Sequence, residues 1–161
     1  MLTSLNRLLG MPVVWQDRLV GCVERAVADA QMRKLAGLVV RRGIGAARWV
    51  DGENVALLGE NCVVLHAKPE RMPERLPLEM GRAFLATGEC AGSVSDALIS
   101  RKNRRIQALE ICRSPLKHLL GQRSYATQFQ SEPGMGEGDV VTAQLLTWAQ
   151  LKEHLKEEEE E

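Results

Sequence analysis

The side chains whose type and spacing bear on chemistry in this sequence are basic, and they come in pairs. Arg33-Lys34 recurs as Arg104-Arg105, at a numbering offset of 71 (104 − 33). Arg41-Arg42 follows the first pair, and Arg101-Lys102 comes just before the second. A guanidinium binds carboxylate or phosphate through two parallel hydrogen bonds. Two equivalent basic turns therefore suit an RNA backbone or an acidic protein strip. Charges placed before a strand also protect its edge and keep it soluble. The residue types leave both readings open. Base stacking has no platform, because Trp15, Trp49, Phe84, Tyr125 and Phe129 are scattered along the chain.

No catalytic, metal-binding or cofactor-binding set emerges, and the expectation is a protein that is not an enzyme. His66, His118 and His154 lie in unrelated segments. Asp29, Asp51, Asp96 and Asp139 sit in or near expected turns, where aspartate is common. No nucleophile–base pair has a recognisable spacing. Cys22, Cys62, Cys90 and Cys112 form no C-x-x-C pair, which removes the sequence case for zinc or dithiol chemistry. Gly134-Met135-Gly136-Glu137-Gly138-Asp139 is rich in glycine, but a phosphate cradle needs a following Lys-Ser/Thr and a helix. Here valines follow, and the segment reads as a hairpin connection.

These residues are carried by a pattern written twice. The same offset of 71 lays Gly10–Gly43 on Gly81–Ser114 (81 − 10), with seven identities: Gly10/Gly81, Gly21/Gly92, Val23/Val94, Ala26/Ala97, Arg33/Arg104, Leu38/Leu109 and Arg42/Arg113. Such a repeat indicates two small units of one architecture. In the first, Met11–Trp15, Leu19–Ala28, Leu35–Val40, Ala47–Val50, Val55–Leu58 and Cys62–Leu65 read as short strands separated by turn residues. In the second, Ala83–Ala86, Cys90–Ile99 and Ile106–Cys112 repeat the pattern, and Tyr125–Phe129 and Val140–Ala143 regain it after a divergent stretch. Matching Gly59-Glu60 to Gly136-Glu137 raises the offset to 77 (136 − 59), an insertion of about six residues. Residues 1–66 form the first unit, 67–77 a proline-rich linker and 78–143 the second unit. Residues 1–9 lead in, with Leu5, Leu8 and Leu9 available to cover a core edge. Cys22 and Cys112 fall in apolar strand patterns and read as core residues.

Residues 144–161 form a helix and an acidic tail. Leu145, Trp148, Leu151 and Leu155 recur at helical steps and make one apolar face, able to dock on its own barrel or on another chain. Thr142 is the expected cap. Glu157–Glu161 opposes the helix dipole and is expected to be disordered.

The chain has 161 residues, 45% hydrophobic and 4% aromatic, so its core must be aliphatic. Formal net charge is zero, yet the body without Glu157–Glu161 carries +5 (21 − 16). No secretion signal is visible, and no apolar run approaches the ~18 residues of a membrane span. The expected setting is the cytoplasm, with reduced thiols and no membrane insertion.

Gly10-Met11-Pro12-Val13, Leu19-Val20-Gly21-Cys22-Val23, Leu35-Ala36-Gly37-Leu38-Val39-Val40 and Gly59-Glu60-Asn61-Cys62-Val63-Val64-Leu65 together resemble a PRC-barrel domain. Gly81-Arg82-Ala83-Phe84, Glu89–Asp96 and Arg104–Ile111 resemble it again. The resemblance implies an all-β protein of two tandem small PRC-like barrels with a C-terminal helix. It also implies a binding or assembly module with no catalytic residues. The functional expectation is a protein-interaction adapter; the alternative is an RNA- or ribosome-associated factor using the paired basic turns. A protein partner is expected, RNA is the alternative, and homo-oligomerisation is left open.

Overall fold

The computed structural model describes residues 1–76, 80–114, 116 and 119–160. The expected linker-to-unit junction at Pro77 and Leu78, together with His118 and Glu161, lies outside them. In order come β1 (Leu2–Ser4), α1 (Leu5–Leu8), β2 (Pro12–Trp15), β3 (Arg18–Ala28), β4 (Leu35–Arg41) and β5 (Arg48–Asp51). A 3₁₀ turn at Gly52–Asn54 leads to β6 (Val55–Leu58), β7 (Val63–Leu65) and β8 (Glu70–Arg71). Then follow β9 (Arg82–Leu85), β10 (Cys90–Ser100), β11 (Ile106–Cys112), β12 (Ser124–Ala126), β13 (Phe129–Gln130), β14 (Val140–Thr142) and α2 (Trp148–Glu160).

The strands make two curled half-barrels with the same internal order. The first runs β6-β7-β2-β3-β4-β5-β8 and the second β13-β14-β9-β10-β11-β12. Each contains one parallel pair in the same place: Val13 opposite Val63 in the first, Ala83 opposite Val140 in the second. The bulges repeat too. Register slips between Val23 and Arg25 and between Val27 and Ala28; it slips again between Val94 and Asp96 and between Leu98 and Ile99. Bulges bend and coil a strand, which lets an eleven-residue strand wrap a small core. Gly21 and Gly92 sit at a further repeated bulge, in the pairing with β2 and β9, with φ of 150° and 142°. A Cβ at Gly21 would lie 2.7 Å from the Arg41 carbonyl oxygen, and one at Gly92 would collide with that of Cys112.

Within the stretch Gly10–Gly43 the second copy departs from an ungapped repeat at one turn. The β2–β3 turn has two residues, Gln16 and Asp17, with φ of 50° and 61°, as a type I′ turn requires. In the second copy the Leu85 amide bonds the Glu89 carbonyl around three residues, with Gly88 at φ 90°. By pairing register the strand before the turn is therefore offset by 70 in numbering (83 − 13) and the strand after it by 71 (92 − 21).

The two sheets share one aliphatic core, in which Val13, Leu38, Val63, Ala83, Leu109 and Val140 are buried together. The lead-in does more than cover an edge. β1 pairs with β10 of the second copy, Thr3 opposite Ile99. Leu5 and Leu8 are buried behind it, whereas Leu9 stays 46% exposed. Cys22 is exposed, not in the core, because the bulge before it changes the facing of the strand.

The helix begins later than its apolar period implies. Thr142 lies in β14, and its hydroxyl donates to the Gln128 carbonyl at 2.8 Å. The cap is Thr147: Gln150 N donates to its hydroxyl at 3.3 Å, and Thr147 N donates to Gln150 Oε1 at 2.9 Å. This is a reciprocal capping box. The glutamate tail continues as helix to Glu160, with His154 3.3 Å from Glu158 one turn on. Glutamate is a good helix former, and this outweighs the unfavourable dipole.

Gly21→Ala and Gly92→Ala each force a side chain into a left-handed backbone conformation and onto a neighbouring carbonyl. Each variant is expected to lose about 1–3 kcal/mol in denaturant unfolding. An unchanged midpoint contradicts the role given to these glycines.

Candidate binding surfaces

The two basic turns meet. Lys34 and Arg105 are opposite one another in an antiparallel bridge that joins the copies. Leu35 N donates to the Arg104 carbonyl at 2.9 Å, and Ile106 N donates to the Arg33 carbonyl at 2.8 Å. The two bonds are equivalents of one another under the repeat, so a pseudo-twofold axis passes between them. Arg33 and Arg104 reach across it. The Arg33 guanidinium lies 5.8 Å from the Phe129 ring centre, and Arg104 Nη1 donates to the Val55 carbonyl at 2.8 Å. Asp29 fixes the first turn by accepting from the amides of Arg33 (2.7 Å) and Lys34 (3.3 Å). Asn103 fixes the second by accepting from Arg105 N at 2.9 Å.

The remaining predicted residues divide. Arg101 is 3.7 Å from Glu60 of the first copy, which makes it a further tie across the seam. Lys102 is exposed in the adjoining turn. Arg41 pairs with Glu24 at 2.8 Å and donates to the Gly45 carbonyl. Arg41 and Arg42 lie at the far end of β4 from Lys34 and do not join the seam. Among the described residues, no ion pair or hydrogen bond holds the side chain of Lys34, Arg42, Lys102 or Arg105.

The C-terminal helix docks on its own chain. Leu151 is fully buried with Ala108 and Tyr125 on the outer face of the second sheet, and Leu98, Leu146 and Leu155 pack around them. Leu145 packs against the main core. Trp148 remains 49% exposed, its ring 5.4 Å from that of Tyr125. In the first copy the matching surface needs no helix, because Trp49 lies directly on Gly37, the counterpart of Ala108.

Beside the helix opens a groove of ≈ 870 Å³, lined among others by Ser4, Arg7, Asp96, Glu110, Tyr125 and Trp148. Asp96 and Glu110 are register partners in β10 and β11, and both are buried. Asp96, expected in or near a turn, is a mid-strand residue. Its Oδ1 accepts from Asn6 N at 3.2 Å and Ala97 N at 2.8 Å, which anchors α1 to the sheet. Burial raises its pKa above the ordinary value; the two backbone bonds and Ser4 oppose the rise, and nearby Glu110 adds to it. Glu110 accepts from Ser95 Oγ at 2.9 Å and lies 3.3 Å from Arg123. The corresponding first-copy residues are Arg25 and Val39. The sequence signal is only that each is an acid within a largely apolar strand; that they face one another comes from the register.

The glycine-rich loop forms a second cleft of ≈ 720 Å³ over Phe84 and Leu85. Asp139 Oδ1 closes it by accepting from Arg82 N at 2.7 Å. The loop leads into strand β14 and offers no helix N-terminus to an anion. Among the described residues, no group of three or more His, Cys, Asp or Glu is placed to hold a metal ion, and no helix is long and apolar enough to cross a membrane.

No protein-family model matches the chain, and comparison with curated proteins finds no relative.

A carboxyl whose pKa is raised on folding contributes stability below its unfolded value, and that contribution is lost as pH rises through the folded value. The wild type therefore loses it as pH rises above 3.8, the ordinary aspartate value, through the raised folded value. An asparagine at this position still accepts both backbone bonds and carries no charge. Relative to wild type, Asp96→Asn is expected to gain stability from acid to neutral pH, read by urea titrations. A variant that instead falls behind as pH rises contradicts the desolvation argument.

Proposed function

We propose that the protein is a non-enzymatic interaction and assembly adapter of PRC-barrel kind, acting in the cytoplasm, with its contact surface on the second half-barrel. One observation carries this reading. Leu116, Leu119 and Leu120 are 68%, 83% and 68% exposed within a single turn, closed by Leu120 N donating to the Leu116 carbonyl at 3.1 Å. Gly121–Arg123, next in the chain, line the groove that Tyr125 and Trp148 also line. Exposed leucines beside aromatic and arginine side chains are the composition of a protein-binding surface. The ties of Asp96 to α1 and of Glu110 to Ser95 and Arg123 support a positioning rather than a catalytic use of the two acids. The repeated bulges and the repeated parallel strand support the resemblance, though a shared fold by itself assigns no activity.

The test is capture of partners on the full chain, with and without nuclease, by wild type and by the double variant Leu119→Glu/Leu120→Glu. A nuclease-resistant protein partner held by wild type and weakened at least about tenfold in the variant is expected, since burying two leucines is worth ~3–6 kcal/mol. An unchanged melting temperature serves as the control that the variant is folded. Partners retained equally by both, or released by nuclease, argue against this surface.

A further inference from the structure

We infer that the seam between the half-barrels carries a site for a phosphate group, held from its two sides by Lys34 and Arg105. This goes beyond the adapter reading and does not rest on it.

The geometry begins with the bridge. Lys34 and Arg105 face each other in an antiparallel pair, which places their Cβ atoms about 5 Å apart on one side of the backbone. Like charges in that relation repel and destabilise the pair. Here neither has a partner acid among the described residues. Asp29, in the first turn, accepts from the amides of that turn, and Glu60 lies 3.7 Å from Arg101. The two side chains cannot be spread by sliding the strands, because the flanking amides of Leu35 and Ile106 are committed across the seam. Arg33 and Arg104 are drawn away to Phe129 and Val55. Lys34 and Arg105 are both exposed, with Lys102 in the adjoining turn; Arg33 is exposed too, but its guanidinium is turned over Phe129.

The ligand follows from the shape of this pair. A planar carboxylate presents its two oxygens in one direction. A tetrahedral phosphate presents oxygens to both sides at once, so it can accept an arginine fork on one side and a lysine on the other. Approximate twofold symmetry also suits two linked phosphates. The chemistry is shared by free pyrophosphate and by the backbone of a single-stranded RNA.

The experiment titrates inorganic pyrophosphate into the full chain by calorimetry at low salt, with wild type, Lys34→Glu and Arg42→Glu. Lys34→Glu sets an acid opposite Arg105, so it replaces repulsion by attraction and the fold is expected to hold or gain in melting temperature. Arg42→Glu removes a free cation remote from the seam. Binding is expected in wild type, weakened at least about tenfold in Lys34→Glu, and little changed in Arg42→Glu. Absence of binding in wild type, or equal weakening by both variants, overturns the site. A labelled single-stranded RNA then separates the sources. RNA that binds with a steep salt dependence and is displaced by pyrophosphate identifies the nucleic-acid backbone as the source. RNA that does not compete while pyrophosphate binds identifies free phosphate.

Discussion

The two backbone bonds that cross the seam, from Leu35 to Arg104 and from Ile106 to Arg33, are the constraint on which the rest of the molecule depends. Domains below about 70–80 residues rarely bury a self-sufficient aliphatic core, and each half is of that size. Neither sheet closes on itself. The halves close on one another, and the reciprocal bonds fix their relative register. Other ties follow the same axis: β1 crosses to the second sheet, Arg101 reaches Glu60, and α1 packs against both β3 and β10. The cost is a local concentration of positive charge at the point of contact.

The copies share a scaffold and differ in what covers it. Trp49 on Gly37 seals the outer face of the first sheet. Ala108 in the second copy blocks that arrangement, and the face is covered by Leu151 of α2 instead. The helix covers only part of it, and the groove is what remains. Facing acids, half-exposed Trp148 and the leucine turn all belong to this copy. The open surface thus lies on one half, and the other serves as its support.

Much of the fold was legible in the chain because it is local and periodic. The repeated glycines mark the bends, and most expected strands match those found to within a few residues, with Ile106–Cys112 and Val55–Leu58 unchanged; Tyr125–Phe129 is instead split between β12 and β13 at opposite ends of the sheet, and Glu70–Arg71 of the expected linker pairs with β5. The one-residue insertion in the second hairpin was hidden because Gly10 and Gly81 are identical by type while occupying neighbouring rather than equivalent positions. Thr147-x-x-Gln150 is a local capping signal that the longer apolar period obscured. The candidate site was half legible. The equivalence of Arg33-Lys34 and Arg104-Arg105 is in the sequence; their meeting is not, because pairing between distant strands leaves no periodic trace. The facing of Asp96 and Glu110 depends on a bulge and is likewise a tertiary fact.

Native-state hydrogen exchange at the amides of Leu35 and Ile106 tests the shared seam most directly. If the half-barrels form one cooperative unit, these two amides exchange only through global unfolding, with the same free energy as the central strand amides of Leu38 and Leu109. Exchange at both through a much lower-energy opening, while the two sheets stay protected, would show two independent barrels in passing contact and contradict the account.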